Sequence, residues 1–395
     1  MEHYIFYCKL SLLAVLSLIT ACCMLSRRWY VNLAAFLACL SGETFLAHLF
    51  FPGYMLCPAA ASFIILFLSR IWDLSRTSAK GNGADPIRLP VRSGIRESRL
   101  EFYYYYSNFL VYGGAGSGKT KSIGKWLLSE YMRLGFAGFI YDFKDTDYTR
   151  TAYNLIKRHR YPHKFYYVSF DRPERSYRFN PLKVVRDRTE LIQLMEDVLL
   201  ALLPKKEQQN EWVAGGLGIL RGVAFRFWDE FPEHCTLPHI LAFIMTASAR
   251  QLSLFLQQNL VSEMLAGAYL KAEGSEKTQA SYLSTLCNNL ATVSQNEEIA
   301  YVLSGDDFDF NLIDPENPKL FAVSNNFSKN SVYAPVISML MTISARQFSM
   351  QNRVPFVYFL DEMTTVNIKN FETLPSVLRE YKAAFILLTQ SGSKV

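Results

Sequence analysis

The residues best suited to chemistry in this sequence lie in a glycine-rich stretch that ends in Lys119 and Thr120. The stretch fits the pattern G-x-x-x-x-G-K-S/T. Glycines let backbone N–H groups turn inward around phosphates, the lysine reaches the β- and γ-phosphates, and the threonine hydroxyl holds Mg²⁺. We therefore predict an ATP-binding loop made of Gly113, Gly114, Ala115, Gly116, Ser117, Gly118, Lys119 and Thr120.

A second chemical feature follows the apolar run Val354 to Leu360, which ends in Asp361 and Glu362. An apolar strand that ends in Asp-Glu is the Walker B pattern. The first carboxylate binds Mg²⁺ or accepts from its water, and the second polarises the attacking water. Alone, the pattern also fits a capped strand end. Beside the glycine loop, it predicts metal binding by Thr120 and Asp361 and a general-base role for Glu362.

Two more polar residues end predicted strands. Gln390 follows the apolar run that begins at Ala383, and a polar amide at the end of the strand after Walker B can sense the γ-phosphate. Asp142 ends the strand that follows the glycine loop. It either orients water or Mg²⁺ or is a solvated strand end, and the pattern does not decide between these roles.

These residues must be positioned by strands and helices that alternate along the chain. The predicted strands cover 108–112, 138–145, 164–170, 319–324, 354–360 and 383–391, and the predicted helices beside them cover 122–133, 149–160, 335–350 and 371–382. Such alternation predicts an α/β fold with a mostly parallel sheet. The polar residues are then expected at the carboxyl edge of the sheet, where ligands of parallel sheets bind.

A long helical region interrupts this alternation. From Asp187 to about Leu303 the strand signal almost disappears, and apolar residues repeat at helical spacing. The sequence therefore predicts an all-α insert over 187–305, which divides the nucleotide-binding domain into 101–186 and 306–395. Because Val395 comes just after the last predicted strand, we expect the second part to be truncated.

The N-terminal region predicts a membrane anchor over residues 1–72. Three apolar runs follow one another, Tyr4–Leu25, Tyr30–Phe50 and Tyr54–Leu68. The first is long enough to span a bilayer as a helix, and arginines follow the first and third. The positive-inside rule then favours three helices with the following domain in the cytoplasm; a two-helix hairpin is the alternative. The polar stretch 73–100 predicts a linker.

Composition agrees with a membrane protein that has a cytoplasmic domain. Half of the residues are hydrophobic and 14% are aromatic, which is high for a soluble protein. The net charge of +6 is compatible with a polyanionic partner but does not require one. Five of the seven cysteines lie in the apolar N-terminal region, and no C-x-x-C pair exists. The sequence therefore predicts neither a disulfide framework nor a zinc site.

The order of these features resembles that of the TraG/TraD type IV coupling proteins, the inner-membrane ATPases of bacterial conjugation and type IV secretion. The matching features are the membrane runs, the glycine loop, the helical insert, Leu360-Asp361-Glu362 and Leu388-Thr389-Gln390-Ser391. Phe179-Asn180-Pro181-Leu182 and the run Tyr333 to Met339 match as well. The resemblance covers essentially the whole chain, and the combination is more specific than the glycine loop alone.

The resemblance implies a RecA-like P-loop NTPase that forms a homo-hexameric ring in the bacterial inner membrane and uses ATP and Mg²⁺. It would pass relaxase-bound single-stranded DNA, or proteins, to a type IV secretion channel. The implied catalytic residues are Lys119, Glu362, Gln390 and Arg379, the last as an arginine finger for a neighbouring subunit or else a surface arginine. The family's Lys-Gly-Glu-like run appears here as Lys144 to Asp147, so no role is assigned to that loop.

Two other functions are alternatives to this prediction. One is a DNA translocase of the FtsK/HerA kind, and the other is a membrane substrate receptor that hydrolyses little or no ATP. The helical insert and the short N-terminal anchor favour the coupling protein over the translocase. ATP turnover with and without single-stranded DNA distinguishes the three.

Overall fold

The computed structural model describes residues 85–93, 96–114, 116–144, 146–203, 207–368 and 371–390, with a few helical positions between 5 and 50. The chain divides into two compact units, Met1–Ala84 and Asp85–Val395. The predicted membrane helices lie almost entirely outside the described residues, and so does Ala115 of the glycine loop. Among the residues that are described, no helix combines the length and apolar character needed to cross a membrane.

An antiparallel hairpin opens the second unit. Strand β1 (Ile87–Ser93) pairs with β2 (Arg96–Phe102), and all but the last two residues of this hairpin lie in the stretch 73–100 that the sequence predicts to be a linker. The amino-acid composition of this stretch does not indicate a hairpin, because charged residues and a proline alternate with the apolar residues. Ile87 is fully buried, and the Arg88 N–H donates to Glu130 at 2.8 Å, so the hairpin is packed onto the domain.

Six parallel strands form the central sheet. They are β3 (Phe109–Tyr112), β4 (Ala137–Asp142), β5 (Lys164–Ser169), β6 (Lys319–Ser324), β7 (Phe356–Leu360) and β8 (Ala383–Thr389). Their order in the sheet is β3-β8-β7-β4-β6-β5, and each neighbouring pair is parallel. The predicted α/β fold with a mostly parallel sheet is confirmed.

Alternate side chains of each strand pack on opposite faces of the sheet. In β7, Val357 and Phe359 pack with helices α1 (Lys125–Arg133) and α2 (Asp147–His159). Phe356, Tyr358 and Leu360 belong to the larger cluster on the other face. Each large side chain buried in this way contributes roughly 1.5–3 kcal/mol. Because both faces of the four inner strands, β4, β6, β7 and β8, are covered, these strands appear in the sequence as continuous apolar runs.

The larger cluster also contains side chains of an all-helical region. Among the described residues of this helical region there is no strand. Its helices are α3 (Arg188–Leu202), α4 (Glu211–Glu230), α5 (Leu237–Thr246), α6 (Ala249–Gln257), α7 (Leu260–Leu265), α8 (Gly267–Lys271), α9 (Glu276–Ser294) and α10 (Glu297–Leu303). The central helix α4 packs against α3, α7 and α9. Gly215 permits the approach of α9, because a Cβ there would lie 2.2 Å from the Tyr282 ring.

Two helices accompany the last strands. Helix α11 (Asn330–Arg346) lies between β6 and β7, and α12 (Leu374–Glu380) lies between β7 and β8. Both contribute to the cluster that also contains the helical region. The four loops that follow β3, β4, β7 and β8 therefore meet at one edge, the carboxyl edge of the sheet.

Candidate nucleotide-binding site

The glycine loop connects β3 to a π-helical turn, Thr120–Gly124, which continues into α1. Gly116 and Gly118 have φ angles of +76° and +82°, a region that residues with a Cβ avoid. A Cβ on Gly113 would lie 2.7 Å from the Ser117 hydroxyl oxygen. These glycines are therefore required by the backbone path, as expected for a loop that exposes its N–H groups.

The lysine of the loop points back into it. Lys119 Nζ donates to the Gly113 carbonyl, and the Gly113 N–H donates to the Thr389 carbonyl of β8 at 3.3 Å. The loop is thus closed by its own ammonium group and attached to the neighbouring strand. The ammonium group and the N-terminus of the helix together make this edge attractive to phosphate.

Asp361 lies one residue beyond β7 and is 2% exposed. Its N–H donates to the Tyr141 carbonyl of β4 at 3.0 Å, which fixes its position between the two strands. Burial raises the pKa of Asp361 to about 7; Asp142 and Glu362 add to the rise, whereas Lys144 and Lys119 oppose it. A divalent cation would favour the ionised form of such a carboxyl group.

Three buried oxygen atoms near this carboxylate have no hydrogen-bond partner among the described residues. They are Asp361 Oδ2, Asp142 Oδ1 and the Tyr148 hydroxyl. The other oxygen of Asp142 accepts from the Thr149 N–H and hydroxyl at 2.8 and 2.9 Å, and the Tyr148 phenol lies beside Thr120. Unpaired buried oxygens of this kind suit a hard cation that keeps part of its water shell. The donor set therefore fits Mg²⁺.

The Glu362 carboxylate is held by donors from two other strand ends. Gln390 donates to it twice, from its side-chain amide at 2.5 Å and from its backbone N–H at 3.2 Å. Lys144 Nζ lies 3.8 Å from the same carboxylate. Glu362 is buried, so these contacts fix the direction of a carboxylate that faces the loop after β8.

The backbone of Glu362 is strained. Its φ is +47°, a left-handed conformation that costs a residue with a Cβ on the order of 1–2 kcal/mol. The Thr365 N–H and hydroxyl both donate to the Glu362 carbonyl, at 2.9 and 2.7 Å, and hold this turn. Strain of this kind is typical of positions where a side chain must be aimed at a ligand.

Arg379 does not join this group. It lies near the end of α12, where the Lys382 carbonyl accepts from the Phe356 N–H at the amino ends of β7 and β8. Its side chain is exposed. It therefore lies at the opposite edge of the sheet from the glycine loop of its own chain.

The structure brings together Lys119, Thr120, Asp361, Glu362 and Gln390 among the predicted site residues. It adds two residues that the sequence did not assign, Lys144 and Tyr148. Lys144 follows β4 by two residues and could have been found from that position. Tyr148 lies in α2, and no sequence pattern distinguishes it from a core tyrosine. Asp142 is fully buried beside Asp361 rather than solvated.

Comparison with known proteins agrees with this geometry. Residues 84–395 match the family model described as type IV secretory system conjugative DNA transfer. Among curated proteins, no relative matches the chain.

Solved structures of the bacterial conjugative coupling protein TrwB are similar in fold. A sulphate complex has a TM-score of 0.56 at 17% identity, with 74% of this chain and 65% of that chain covered. A complex with the ATP analogue ADPNP has a TM-score of 0.59 at 16% identity, with 81% and 70% covered. A complex with ADP and Mg²⁺ has a TM-score of 0.58 at 16% identity, with 80% and 75% covered. The chain thus spans about two thirds to three quarters of the TrwB chains that it matches.

Proposed function

The chain belongs to the type IV secretory system conjugative DNA transfer family, and from that premise we propose that it is a coupling ATPase. It uses ATP hydrolysis to pass relaxase-bound single-stranded DNA, protein substrates, or both, to a type IV secretion channel. The observation that carries this proposal is the convergence at one sheet edge of a phosphate loop, an unpaired Asp361 oxygen and the bonded pair Glu362–Gln390.

We assign nucleotide binding to the glycine loop and its neighbours. The residues are Gly113, Gly114, Ala115, Gly116, Ser117, Gly118, Lys119 and Thr120. Thr120 and Asp361 would hold Mg²⁺, which when bound supplies positive charge that offsets the phosphates. The TrwB complexes with ADPNP and with ADP and Mg²⁺, which share this fold, support the assignment.

In the proposed hydrolysis, Glu362 accepts a proton from the water that attacks the γ-phosphorus. The bond between the γ-phosphorus and the bridging oxygen breaks, and ADP leaves with the bridging oxygen. Lys119 offsets charge on the phosphoryl oxygens. Lys144, 3.8 Å from the Glu362 carboxylate, adds positive charge beside the base. Gln390 contacts both the base and the γ-phosphate, and in this way senses ATP.

We propose that the site is completed by a neighbouring subunit. Arg379 lies at the edge of the sheet opposite its own glycine loop, so it can act as an arginine finger only on another chain. A homo-hexameric ring with one site between each pair of subunits meets this requirement.

We also propose that the apolar runs within residues 1–72 anchor the chain in the bacterial inner membrane as a multi-pass protein. The domain that begins at Asp85 then lies in the cytoplasm, where ATP is available. This part of the proposal rests on the length of the runs and on the arginines that follow them.

The test is ATP turnover by the full chain in nanodiscs, with and without single-stranded DNA. We expect turnover that single-stranded DNA stimulates. Lys119→Ala should lower turnover by about 100-fold or more because phosphate charge is left uncompensated. Lys271→Ala, which removes an exposed lysine of α8, is the matched control and should turn over within about twofold of the wild type.

Three results would contradict the coupling ATPase. Absence of turnover in the wild type would favour a substrate receptor. Stimulation by double-stranded DNA alone would favour a translocase of the FtsK/HerA kind. Equal turnover by Lys119→Ala and the wild type would show that the glycine loop is not the hydrolytic site.

A further inference from the structure

Four buried polar side chains meet at the carboxyl edge of the sheet, under the first turn of α2. They are Asp361, Asp142, Ser324 and Tyr148, and each has one oxygen without a hydrogen-bond partner among the described residues. None of the four residues is more than 4% exposed. Buried polar groups are almost always hydrogen-bonded, so four unpaired oxygens in one place indicate a bound ligand or bound water.

The ends of β7, β4 and β6 place three of these oxygens on one face of the sheet. The Asp361 N–H donates to the Tyr141 carbonyl at 3.0 Å, and Asp142 is the cross-strand partner of Ser324. The side chains two positions earlier in each strand all belong to the cluster packed with α1 and α2; they are Phe359, Ile140 and Ala322. Because side chains alternate along a strand, the two carboxylates and the serine hydroxyl are directed toward α2.

Tyr148 reaches the same place because a glycine leaves room for its hydroxyl group. Gly124 ends the turn that follows the glycine loop, and a Cβ there would lie 2.4 Å from the Tyr148 hydroxyl oxygen. The phenol lies beside Thr120, and its ring packs on Phe359 at 4.6 Å. Burial, reinforced by the Asp361 carboxylate, raises the pKa of Tyr148. The hydroxyl group therefore keeps its hydrogen and can donate it.

Other contacts hold the first turn of α2 in position. The second oxygen of Asp142 accepts from the Thr149 N–H and hydroxyl at 2.8 and 2.9 Å. Lys125 of α1 pairs with Asp147 at 2.7 Å. These contacts leave the unpaired oxygen of Asp142 and the Tyr148 hydroxyl group unused. Both groups are thus fixed in place before any ligand binds, as a positioning role requires.

We propose that Asp142 and Tyr148 are positioning residues of the Mg²⁺ site, which hold a water ligand of the ion rather than the ion itself. Asp142 lies one strand further from the glycine loop than Asp361, and Ser324 lies one strand further again. In nucleotide sites Mg²⁺ keeps several waters, and each has two hydrogens to donate. Asp142 can accept one hydrogen and the Tyr148 oxygen the other, which leaves the Tyr148 hydrogen for Asp361.

This inference rests on the proposed function, because the ion is the one that Thr120 and Asp361 would hold beside the nucleotide. It extends that assignment to α2, an element that contributes no direct ligand. Partners of metal ligands and of bound water typically change metal affinity by 10- to 100-fold when they are removed. The two residues are therefore expected to affect metal affinity more than nucleotide affinity.

Metal affinity tests the proposal without relying on turnover. The full chain in nanodiscs is mixed with one equivalent of ADP, and Mn²⁺ binding is measured from the EPR signal of the free ion, with Mg²⁺ as competitor. Tyr148→Phe, which removes one hydroxyl group, should raise the dissociation constants of both ions about tenfold. Asp142→Asn keeps an oxygen for Thr149 but cannot accept from the water, and should raise them about tenfold or more. ADP affinity in EDTA should stay within about twofold of the wild type.

Two controls make the same chemical changes at the other end of α1. Tyr131→Phe removes a buried hydroxyl group that donates to the Tyr105 carbonyl at 2.7 Å. Glu130→Gln changes a carboxylate that is 7% exposed and accepts from Arg133 at 2.9 Å. Both variants should keep the Mn²⁺ dissociation constant within about twofold of the wild type. An equal loss of metal affinity in the controls would overturn the proposal.

Thermal unfolding distinguishes a metal contact from a contact that serves the fold. Without metal, Tyr148→Phe should melt at or above the wild-type temperature, because the variant lacks a buried hydroxyl group that has no partner. Tyr131→Phe should melt lower, because it breaks a hydrogen bond. Mg²⁺ with ADP should then raise the melting temperature of the wild type more than that of Tyr148→Phe. A metal-free Tyr148→Phe that melts well below the wild type would overturn the assignment.

The outcomes separate this inference from the proposed function. A wild type that binds neither ADP nor Mn²⁺ would overturn both. A wild type that binds both but hydrolyses no ATP would overturn the ATPase and leave the metal site. Unchanged Mn²⁺ affinity in Tyr148→Phe and Asp142→Asn, beside a wild type that binds and hydrolyses, would overturn the water-holding role alone. Equal losses of ADP affinity in EDTA and of Mn²⁺ affinity would overturn that role as well.

Discussion

The two edges of the central sheet are made by the same strands but differ in their polar groups. At the carboxyl edge, Glu362 has a strained backbone, and buried oxygens of Asp142 and Asp361 have no hydrogen-bond partner among the residues that the structure describes. At the amino edge, the Asn352 amide donates to two carbonyls at 2.9 and 2.7 Å, and Asn108 bonds across to Pro375 and Phe385. Left-handed backbone also occurs at the amino edge, at Lys382. The two edges therefore differ in unpaired carboxylate oxygens that a ligand can satisfy, and not in backbone strain.

The largest expected effect tests this difference with one chemical change made at each edge. Glu362→Gln should lower ATP turnover by about 100-fold or more, because the amide cannot accept the proton from water. Glu380→Gln makes the same change in an exposed residue near the amino edge and should alter turnover less than twofold. Steady-state turnover with bound nucleotide measured in parallel checks both variants. Similar losses in the two would remove the distinction between the edges.

Arg379 sharpens the comparison, since it is expected to act from the amino edge on another chain. Arg379→Ala should lose about 100-fold or more of turnover, whereas Arg353→Ala, an exposed arginine before β7, should not. Co-assembly of Arg379→Ala with the inactive Lys119→Ala should recover turnover, because an intact loop then meets an intact arginine. If mixing restores nothing while mixed rings form, Arg379 does not act between subunits.

Lys144 is expected to have a smaller effect at the carboxyl edge. Lys144→Met should lower kcat by about five- to tenfold and leave KM for ATP within about twofold, since the charge is expected to assist the base rather than bind the phosphates. Loss of this cation also raises the pKa of Asp361 further, so the acid limb of the pH–rate profile should move to higher pH. Lys157→Met on α2 is the control. An unmoved pH profile would count against this role.

The last expected effect concerns stability and its dependence on pH. The pKa of Asp361 is raised from 3.8 to about 7 in the folded chain, so the folded state is stabilised below this range and loses stability as pH rises from about 4 to about 7. The loss is at most on the order of 4 kcal/mol.

Asp361→Asn should therefore unfold at a higher temperature than the wild type at pH 8 without Mg²⁺, and the difference should shrink at pH 5. Exposed Asp306→Asn should show no such trend. Thermal melts at the two pH values check this, and a wild type more stable than Asp361→Asn at pH 8 would contradict it.

Local patterns were sufficient to propose much of the candidate site. The glycine loop is one continuous stretch of the sequence, and Asp361-Glu362 is another. The residue types of each motif are determined by its own strand and turn. Continuous apolar runs predicted the four inner strands, β4, β6, β7 and β8, because both faces of these strands are buried. The edge strands β3 and β5 were predicted as well, although they are partly exposed. Because the strands are parallel, strand direction alone then predicted that the polar residues lie at the carboxyl edge of the sheet.

The remaining features depend on contacts between distant segments. The β1–β2 hairpin is stabilised by packing of Ile87 and by Glu130 of α1, neither of which appears in local composition. The approach of Lys144 to Glu362 and of Tyr148 to Thr120 depends on the order of strands in the sheet. The short helices α7 and α8 are too brief to show a period.

The strand order has a consequence for how the chain acquires its fold. β3 pairs only with β8 among the described strands, and the Asn108–Phe385 hydrogen bond that joins their starts spans 277 residues. Contact order at the phosphate loop is therefore high, and folding there is expected to be slow. During synthesis, β3 therefore remains unpaired until β8 leaves the ribosome. Nascent chains are thus expected to need chaperones and to bind no nucleotide until β8 has emerged.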